Sequence, residues 1–150
     1  MIHIVDIIFH ITFLYSCYMD IVRRIIPEKS FLILLFLSII RILLTNKLLN
    51  MYLAISIFIF PIFIQMLVET YLEKEIIGLG DIKLFVTVGL FFCSTDIMFV
   101  LKFYNILYIF SAIYILILRR IRGYIAFAPM IYLAFCIFNL GVLWKIREKC

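Results

Sequence analysis

Two acidic side chains lie in short motifs at the ends of apolar runs, and they are the residues of this sequence best suited to chemistry. Asp20 opens the segment Asp-Ile-Val-Arg-Arg-Ile-Ile-Pro, and Asp81 ends the segment Gly-Leu-Gly-Asp. An ionisable side chain within a hydrophobic span is costly, so it is retained mainly where a buried or wet site uses it. Two carboxyl groups that meet in such a setting are the parts of an aspartic protease.

The chemistry of such a pair follows from its shared proton. Two carboxyl groups held close together cannot both ionise readily, so one carries a proton and the other does not. The ionised group accepts a proton from the water that attacks a peptide carbonyl, and the protonated group donates to the carbonyl oxygen. The pair titrates as a unit, which leaves open which aspartate is base and which is acid. No metal or cofactor is needed, and we expect none.

The composition indicates where the two aspartates work. The chain has 150 residues, of which 67% are hydrophobic and 15% charged. A soluble domain of this size could not bury that much apolar side chain. A bilayer core of about 30 Å needs roughly 20 helical residues per crossing, which allows about six crossings. We therefore predict an all-α polytopic membrane protein with about six transmembrane helices, and a single membrane-embedded domain over residues 1–150.

The apolar runs give the expected spans. The first is interpreted as a permanent span, because it has neither a basic start nor a small-residue cleavage site. Pro61 should kink the third, the polar residues 69–75 should lie outside the hydrocarbon, and Asp96 should cap the fifth helix. The expected spans are residues 2–22, 30–44, 51–68, 76–93, 96–118 and 124–144.

Parity of the spans predicts that both aspartates face the same side of the membrane. Spans two and three, which separate the two aspartates in the sequence, cross the membrane out and back. The side of the membrane that holds the aspartates also has more basic residues than the other side. By the positive-inside rule that side is cytoplasmic, in a plasma membrane, although the basic C-terminal tail falls on the other side. The basic residues of the aspartate side are Arg23, Arg24, Lys29, Lys74, Lys83, Arg119, Arg120 and Arg122. They cluster at span ends, which indicates contact with membrane lipid and no nucleic-acid partner.

Asp81 is expected below the cytoplasmic interface. It lies twelve residues before Cys93, or about 18 Å from the far end of the span. Gly78 and Gly80 weaken the helix just before it. A loosened backbone at membrane depth is tolerated where it faces protein or a wet cavity. Water and an extended peptide could reach such a place.

Other polar residues have structural interpretations. Asp6 and Asp96 lie about 21 and 22 Å along their helices from Asp20 and Asp81, so we expect interfacial or capping roles for them. Arg41 is close enough to the end of its span to snorkel, and His10 is expected to be a hydrogen-bonded packing residue. The cysteines have no metal-ligand or disulfide pattern.

The two motifs also allow a purely structural interpretation. A juxtamembrane Asp with a nearby Arg and Pro often marks only a helix end, and paired glycines serve close helix packing. A salt bridge of Asp20 or Asp81 with Arg24 or Lys83 is the corresponding structural alternative.

Together the motifs resemble those of the type IV prepilin peptidases, the leader peptidases among the GxGD membrane aspartic proteases. Asp20, Ile21, Arg24, Ile26 and Pro27 match the first family segment. Glu75, Gly78, Gly80, Asp81, Lys83, Leu84 and Gly89 match the second. Glu28, Ile76 and Ile77 depart from the family pattern, and Ala126-Phe127-Ala128-Pro129 is a weak form of a late Pro-Phe-Gly-Pro element.

This resemblance implies a GxGD-protease-like bundle with Asp20 and Asp81 as the catalytic pair. It implies supporting roles for Gly78, Gly80, Lys83, Arg24, Pro27 and Glu75. The substrate would be a prepilin or pilin-like precursor, cut just before its apolar helix. Long family members carry an N-terminal methylating region with cysteine pairs, which this sequence lacks, so we expect cleavage without N-methylation.

Two other functions fit the same residues. A transporter or channel-like protein could use the two acids as a proton or cation site, although the sequence has no obvious internal repeat. The chain could also be a non-catalytic component of a pilus or secretion assembly that retains the fold of the peptidase but not its activity. The sequence indicates neither the particular precursor nor the oligomeric state.

Overall fold

The protein is a helical bundle. The computed structural model describes residues 2–73, 78–118 and 126–147, and in these it contains helices and no strand, which confirms the all-α class. The helices are α1 (Ile2–Arg23), α2 (Glu28–Leu44), α3 (Met51–Leu72), α4 (Leu79–Phe92), α5 (Ile97–Leu118) and α6 (Ala128–Arg147). A short 3₁₀ turn, Leu48–Asn50, leads into α3.

The expected number of transmembrane helices is confirmed only in part. Three helices are long and apolar enough to cross a membrane: Ile2–Arg23, Leu48–Leu72 and Ile97–Ile117. By contrast, α2 has 17 residues and α4 has 14, below the roughly 20 that a straight crossing needs. In α6 the apolar stretch is the shorter Ala128–Leu140. Six helices are therefore present in the described residues, but six spans are not shown.

Several predicted boundaries are corrected by the local backbone. The fourth span was expected from residue 76, yet α4 begins at Leu79 because Gly78 is extended, with φ −71° and ψ 145°. The third helix runs on to Leu72, four residues beyond its expected end, and stops where Glu73 adopts a left-handed conformation. The predicted cap at Asp96 is confirmed, because its Oδ1 accepts the backbone N–H of Met98 at 2.9 Å.

Helix α4 lies at the centre of the bundle and packs against α2, α3 and α6. Most of its side chains are buried. Gly89 allows α3 to approach closely, because a Cβ at this position would lie 3.0 Å from the ring of Phe58. On the other side of α4, a cluster of tilted and edge-to-face rings joins α1, α4 and α6. This core fixes the start of α4, which carries Asp81, relative to α1 and α6.

His10 fixes α6 against α1, as its predicted packing role requires. The amide of Asn139 donates to Nε2 of His10 at 2.9 Å. The other ring nitrogen, Nδ1, is then the one that carries the proton, and it lies 3.2 Å from the hydroxyl of Tyr132. Both partners are on α6, so this histidine sets the register of the two antiparallel helices.

The snorkelling predicted for Arg41 is wrong, and Asp6, predicted to be an interfacial or capping group, is the partner of that arginine. The two form an ion pair at 3.0 Å, and each side chain is only 14% exposed. Arg41 also donates to the backbone carbonyl of Phe91 and lies 4.0 Å above that residue's ring. The guanidinium is therefore directed toward α1 and α4 instead of snorkelling to the surface.

We expect the Asp6→Asn variant to be less stable than the wild type by about 2 kcal/mol, because the poorly hydrated guanidinium of Arg41 would lose its counter-charge. Thermal unfolding in detergent measures the effect. The matched control is Asp96→Asn, which removes the same charge from an exposed cap where asparagine serves about equally well. Equal melting temperatures for the two variants would contradict the structural role of the Asp6–Arg41 pair.

Candidate active site

Asp20 lies in the last turn of α1 and is 8% exposed. Its Oδ2 accepts the backbone N–H of Ala128 at 3.0 Å, and the backbone N–H of Phe127 also contributes. A carboxylate near the C-terminus of its own helix faces the negative end of that helix dipole. The N-terminus of α6 supplies the opposite field and the hydrogen-bond donors that a buried carboxylate requires.

The start of α6 explains why these donors are free. The carbonyl of Phe127 accepts the N–H groups of Met130 and Ile131 at 3.0 and 3.2 Å, so the helix begins at Ala128. The first N–H groups of a helix have no partner within it, and one of them binds Asp20. In the sequence, residues 126–129 were only a weak match to the late family element, and no role was predicted for Ala128. Pro129 was the available signal, since proline is common in a first turn.

Asp81 is the third residue of α4. Gly78 occupies the N-cap position, and the carboxylate of Asp81 turns back to the backbone N–H of Gly78. The side chain in the first turn of the helix, near the N–H of the capping residue, has the position of one half of a capping box. The Gly-Leu-Gly-Asp motif therefore starts a helix and does not interrupt one.

The two aspartates lie at the same end of the bundle, close enough for their charges to repel each other. The loop between α1 and α2 makes this possible, because its buried Ile26 lies directly against Gly80. A Cβ at Gly80 would be 3.0 Å from Cδ1 of Ile26. Among the described atoms, a Cβ at Gly78 would meet only Oδ2 of Asp81, at an ordinary 3.4 Å. Of the two glycines, Gly80 is the one that permits the close approach.

The remaining predicted residues that the structure describes lie near this end of the bundle. Arg24 closes α1 in a left-handed conformation, φ 55°, and its charge acts on Asp20. Pro27 is the N-cap of α2, where its carbonyl accepts the hydroxyl of Ser30 at 2.8 Å. Lys83 lies on α4, one turn from its start. Glu75 lies outside the described residues.

The salt-bridge alternative does not account for the two aspartates. Within the part of the chain that the structure describes, Lys83 pairs with Glu28 at 3.5 Å, and neither Asp20 nor Asp81 forms an ion pair. Glu28 is 83% exposed, so its pair with Lys83 contributes little to stability. Arg24 influences Asp20 only at longer range. The backbone N–H of Ala128 binds Asp20, and the backbone N–H of Gly78 lies near the carboxylate of Asp81.

This arrangement suits acid–base chemistry without a nucleophilic side chain. It places two carboxyl groups together, one of them buried, and backs each with the N-terminus of a helix. Among the described residues no group of three or more His, Cys, Asp or Glu side chains could hold a metal ion. The pair itself supplies both an acceptor and a donor of protons.

Comparison with known proteins gives one family. The sequence model of the type IV leader peptidase family matches residues 7–118, which is more than half of the chain and includes both aspartate motifs. No curated protein and no solved structure matches the chain. The start of α6, which binds Asp20, lies beyond the matched segment.

Proposed function

The chain belongs to the type IV leader peptidase family, and we propose that it is a membrane aspartic endopeptidase in which Asp20 and Asp81 form the catalytic pair. The family implies a protease that acts on prepilin-type precursor proteins. The three apolar helices, together with the family, indicate a membrane protein. The observation that most supports the proposal is that two carboxylates, one from α1 and one from α4, lie at the same end of the bundle and close enough for their charges to interact.

Such a pair cleaves a peptide bond by moving two protons. One carboxylate accepts a proton from water as its oxygen attacks the scissile carbonyl, and the other carboxyl donates to the carbonyl oxygen. The supporting residues hold this geometry: Gly78 and Gly80 shape the start of α4, and Arg24 and Pro27 shape the loop that follows Asp20. Lys83 and Glu75 complete the proposed set.

We further propose where these precursors are cut and what the new N-terminus carries. Precursors are cut at the cytoplasmic face, just before their apolar helix, and the new N-terminus is not methylated. The excess of basic residues on the aspartate side supports this orientation. Arg23 and Arg24 at the end of α1 and Lys29 at the start of α2 are exposed there.

The proposal is tested with the purified protein in liposomes and a set of precursors that carry a short basic leader before an apolar helix. We expect a single cut at that junction, identified by mass spectrometry, and a product without the added mass of a methyl group. A precursor whose leader junction has been deleted is the control. Two results together would favour the transporter instead. The protein would cut no pilin, archaellin-like or competence-type precursor, and it would carry a cation flux that depends on Asp20 and Asp81.

A further inference from the structure

The two carboxylates of the pair have unequal surroundings. Asp20 is buried and accepts the backbone N–H of Ala128 at 3.0 Å, with the backbone N–H of Phe127 and the charge of Arg24 also nearby. Asp81 is less buried, and among the described residues its one nearby backbone donor is Gly78, at the start of its own helix. Burial by itself disfavours the charged form of Asp20, but the donors and the cation described around it oppose this effect and stabilise a negative charge more than those described around Asp81.

We propose that in the resting enzyme Asp20 is the ionised member that activates water, that Asp81 carries the shared proton, and that the backbone N–H of Ala128 is the positioning group that fixes this assignment. This inference rests on the proposed function, because it assigns roles within the same pair. It concerns α6, which lies outside the segment matched by the family.

The physical basis is the strength of a charge-assisted hydrogen bond. An N–H group at a helix N-terminus binds an ionised carboxylate more strongly than a protonated one, because both the donor and the helix dipole favour negative charge. With a single negative charge to place on two carboxyl groups, the charge resides where more donors converge. The geometry at Asp20 provides more donors than the geometry at Asp81.

Other groups near the pair do not reverse this preference. On α1 the uncharged thiol of Cys17 lies next to Asp20, and Tyr132 and Cys136 of α6 lie next to that thiol. On α4 the cation of Lys83 is engaged with Glu28 of α2. Among the described residues, the cation that acts on the pair is Arg24, and it acts on Asp20.

The assignment gives a balanced reaction. Asp20 takes a proton from water as the water oxygen bonds to the carbonyl carbon, while Asp81 gives its proton to the carbonyl oxygen. When the C–N bond breaks, Asp20 returns its proton to the leaving nitrogen and Asp81 recovers one from a hydroxyl of the intermediate. Water is consumed, and the pair returns to its starting state.

The test is an Ala128→Pro variant, which removes the N–H that binds Asp20 at the first position of a helix, where proline is tolerated. Without this donor a higher pH is needed to ionise Asp20. The acid limb of the pH profile of kcat/KM is therefore expected to move up by about one pH unit. The alkaline limb, which reports loss of the proton from Asp81, should stay in place. Ala128→Gly keeps the N–H, and both limbs should stay in place.

A second variant tests the donor to Asp81 in the same way. Gly78→Pro fits the observed φ of −71° and removes the donor to Asp81, so it should raise the alkaline limb alone. Arg24→Gln removes the cation near Asp20 and should raise the acid limb, which provides a second test if Ala128→Pro does not fold. An alkaline shift in Ala128→Pro, or unmoved limbs in both Asp20-directed variants, would overturn the assignment alone. A wild type that cleaves no precursor at any pH would overturn the proposed function as well.

Discussion

Asp20→Asn and Asp81→Asn are each expected to lower precursor cleavage by about 10³-fold or more, because each removes one of the two proton-transfer groups. Asparagine has nearly the shape of aspartate, and its carbonyl oxygen can still accept the N–H of Ala128 or Gly78. The loss should therefore appear in cleavage and not in folding. The measurement is the rate of leader removal in liposomes that contain equal amounts of the variant or the wild-type protein.

The control for this prediction is Asp96→Asn, which removes one negative charge at the opposite end of the bundle. Its cleavage rate should equal that of the wild type. Membrane insertion and the melting temperature of both active-site variants should also stay near those of the wild type. Full activity of either Asp20→Asn or Asp81→Asn would exclude the aspartic mechanism.

Gly80→Ala is expected to lower kcat/KM about ten-fold, since the new Cβ would press on Ile26 and shift the loop that follows Asp20. Gly78→Ala, in the same motif, should be much milder, because its Cβ meets an ordinary contact distance. The measurement compares the cleavage kinetics of the two variants, and their stability is measured in parallel.

The contact with a Cβ at Gly80 depends on one atom of Ile26, which can be removed by substitution. Ile26→Val removes Cδ1, the atom that would lie 3.0 Å from a Cβ at Gly80. Adding Ile26→Val to Gly80→Ala should therefore restore part of the lost activity, with a favourable coupling between the two sites. Equal effects of the two alanine substitutions, or strictly additive effects of Ile26→Val and Gly80→Ala, would contradict the role assigned to this contact.

Local signals in the sequence predicted much of this structure. The cap at Asp96 depends on residues adjacent in the chain, and the all-α class follows from the long apolar runs. The placement of Asp20 and Asp81 at one end of the bundle followed from counting crossings, and the family match covers both motifs. Their catalytic roles remain predictions.

The contacts between helices could not be predicted in the same way. A helix that is apolar all round has no polar stripe to reveal its rotation, so nothing local indicated that Arg41 faces Asp6 instead of lipid. The bond from Ala128 to Asp20 joins residues 108 positions apart, and no spacing rule connects them. The start of α4 was predicted too early because hydropathy continues through residues 76–78, whereas the helix depends on the extended backbone of Gly78.

The most direct test of this account is thiol cross-linking between the positions of the two aspartates. Cys17, Cys93, Cys136 and Cys150 would first be replaced by alanine, and Asp20→Cys and Asp81→Cys then introduced together. A short bifunctional thiol reagent should join the pair within one chain, while Asp20→Cys with Asp96→Cys should stay unlinked. Linkage of the second pair, or labelling of positions 20 and 81 from opposite sides of the membrane, would contradict a shared site.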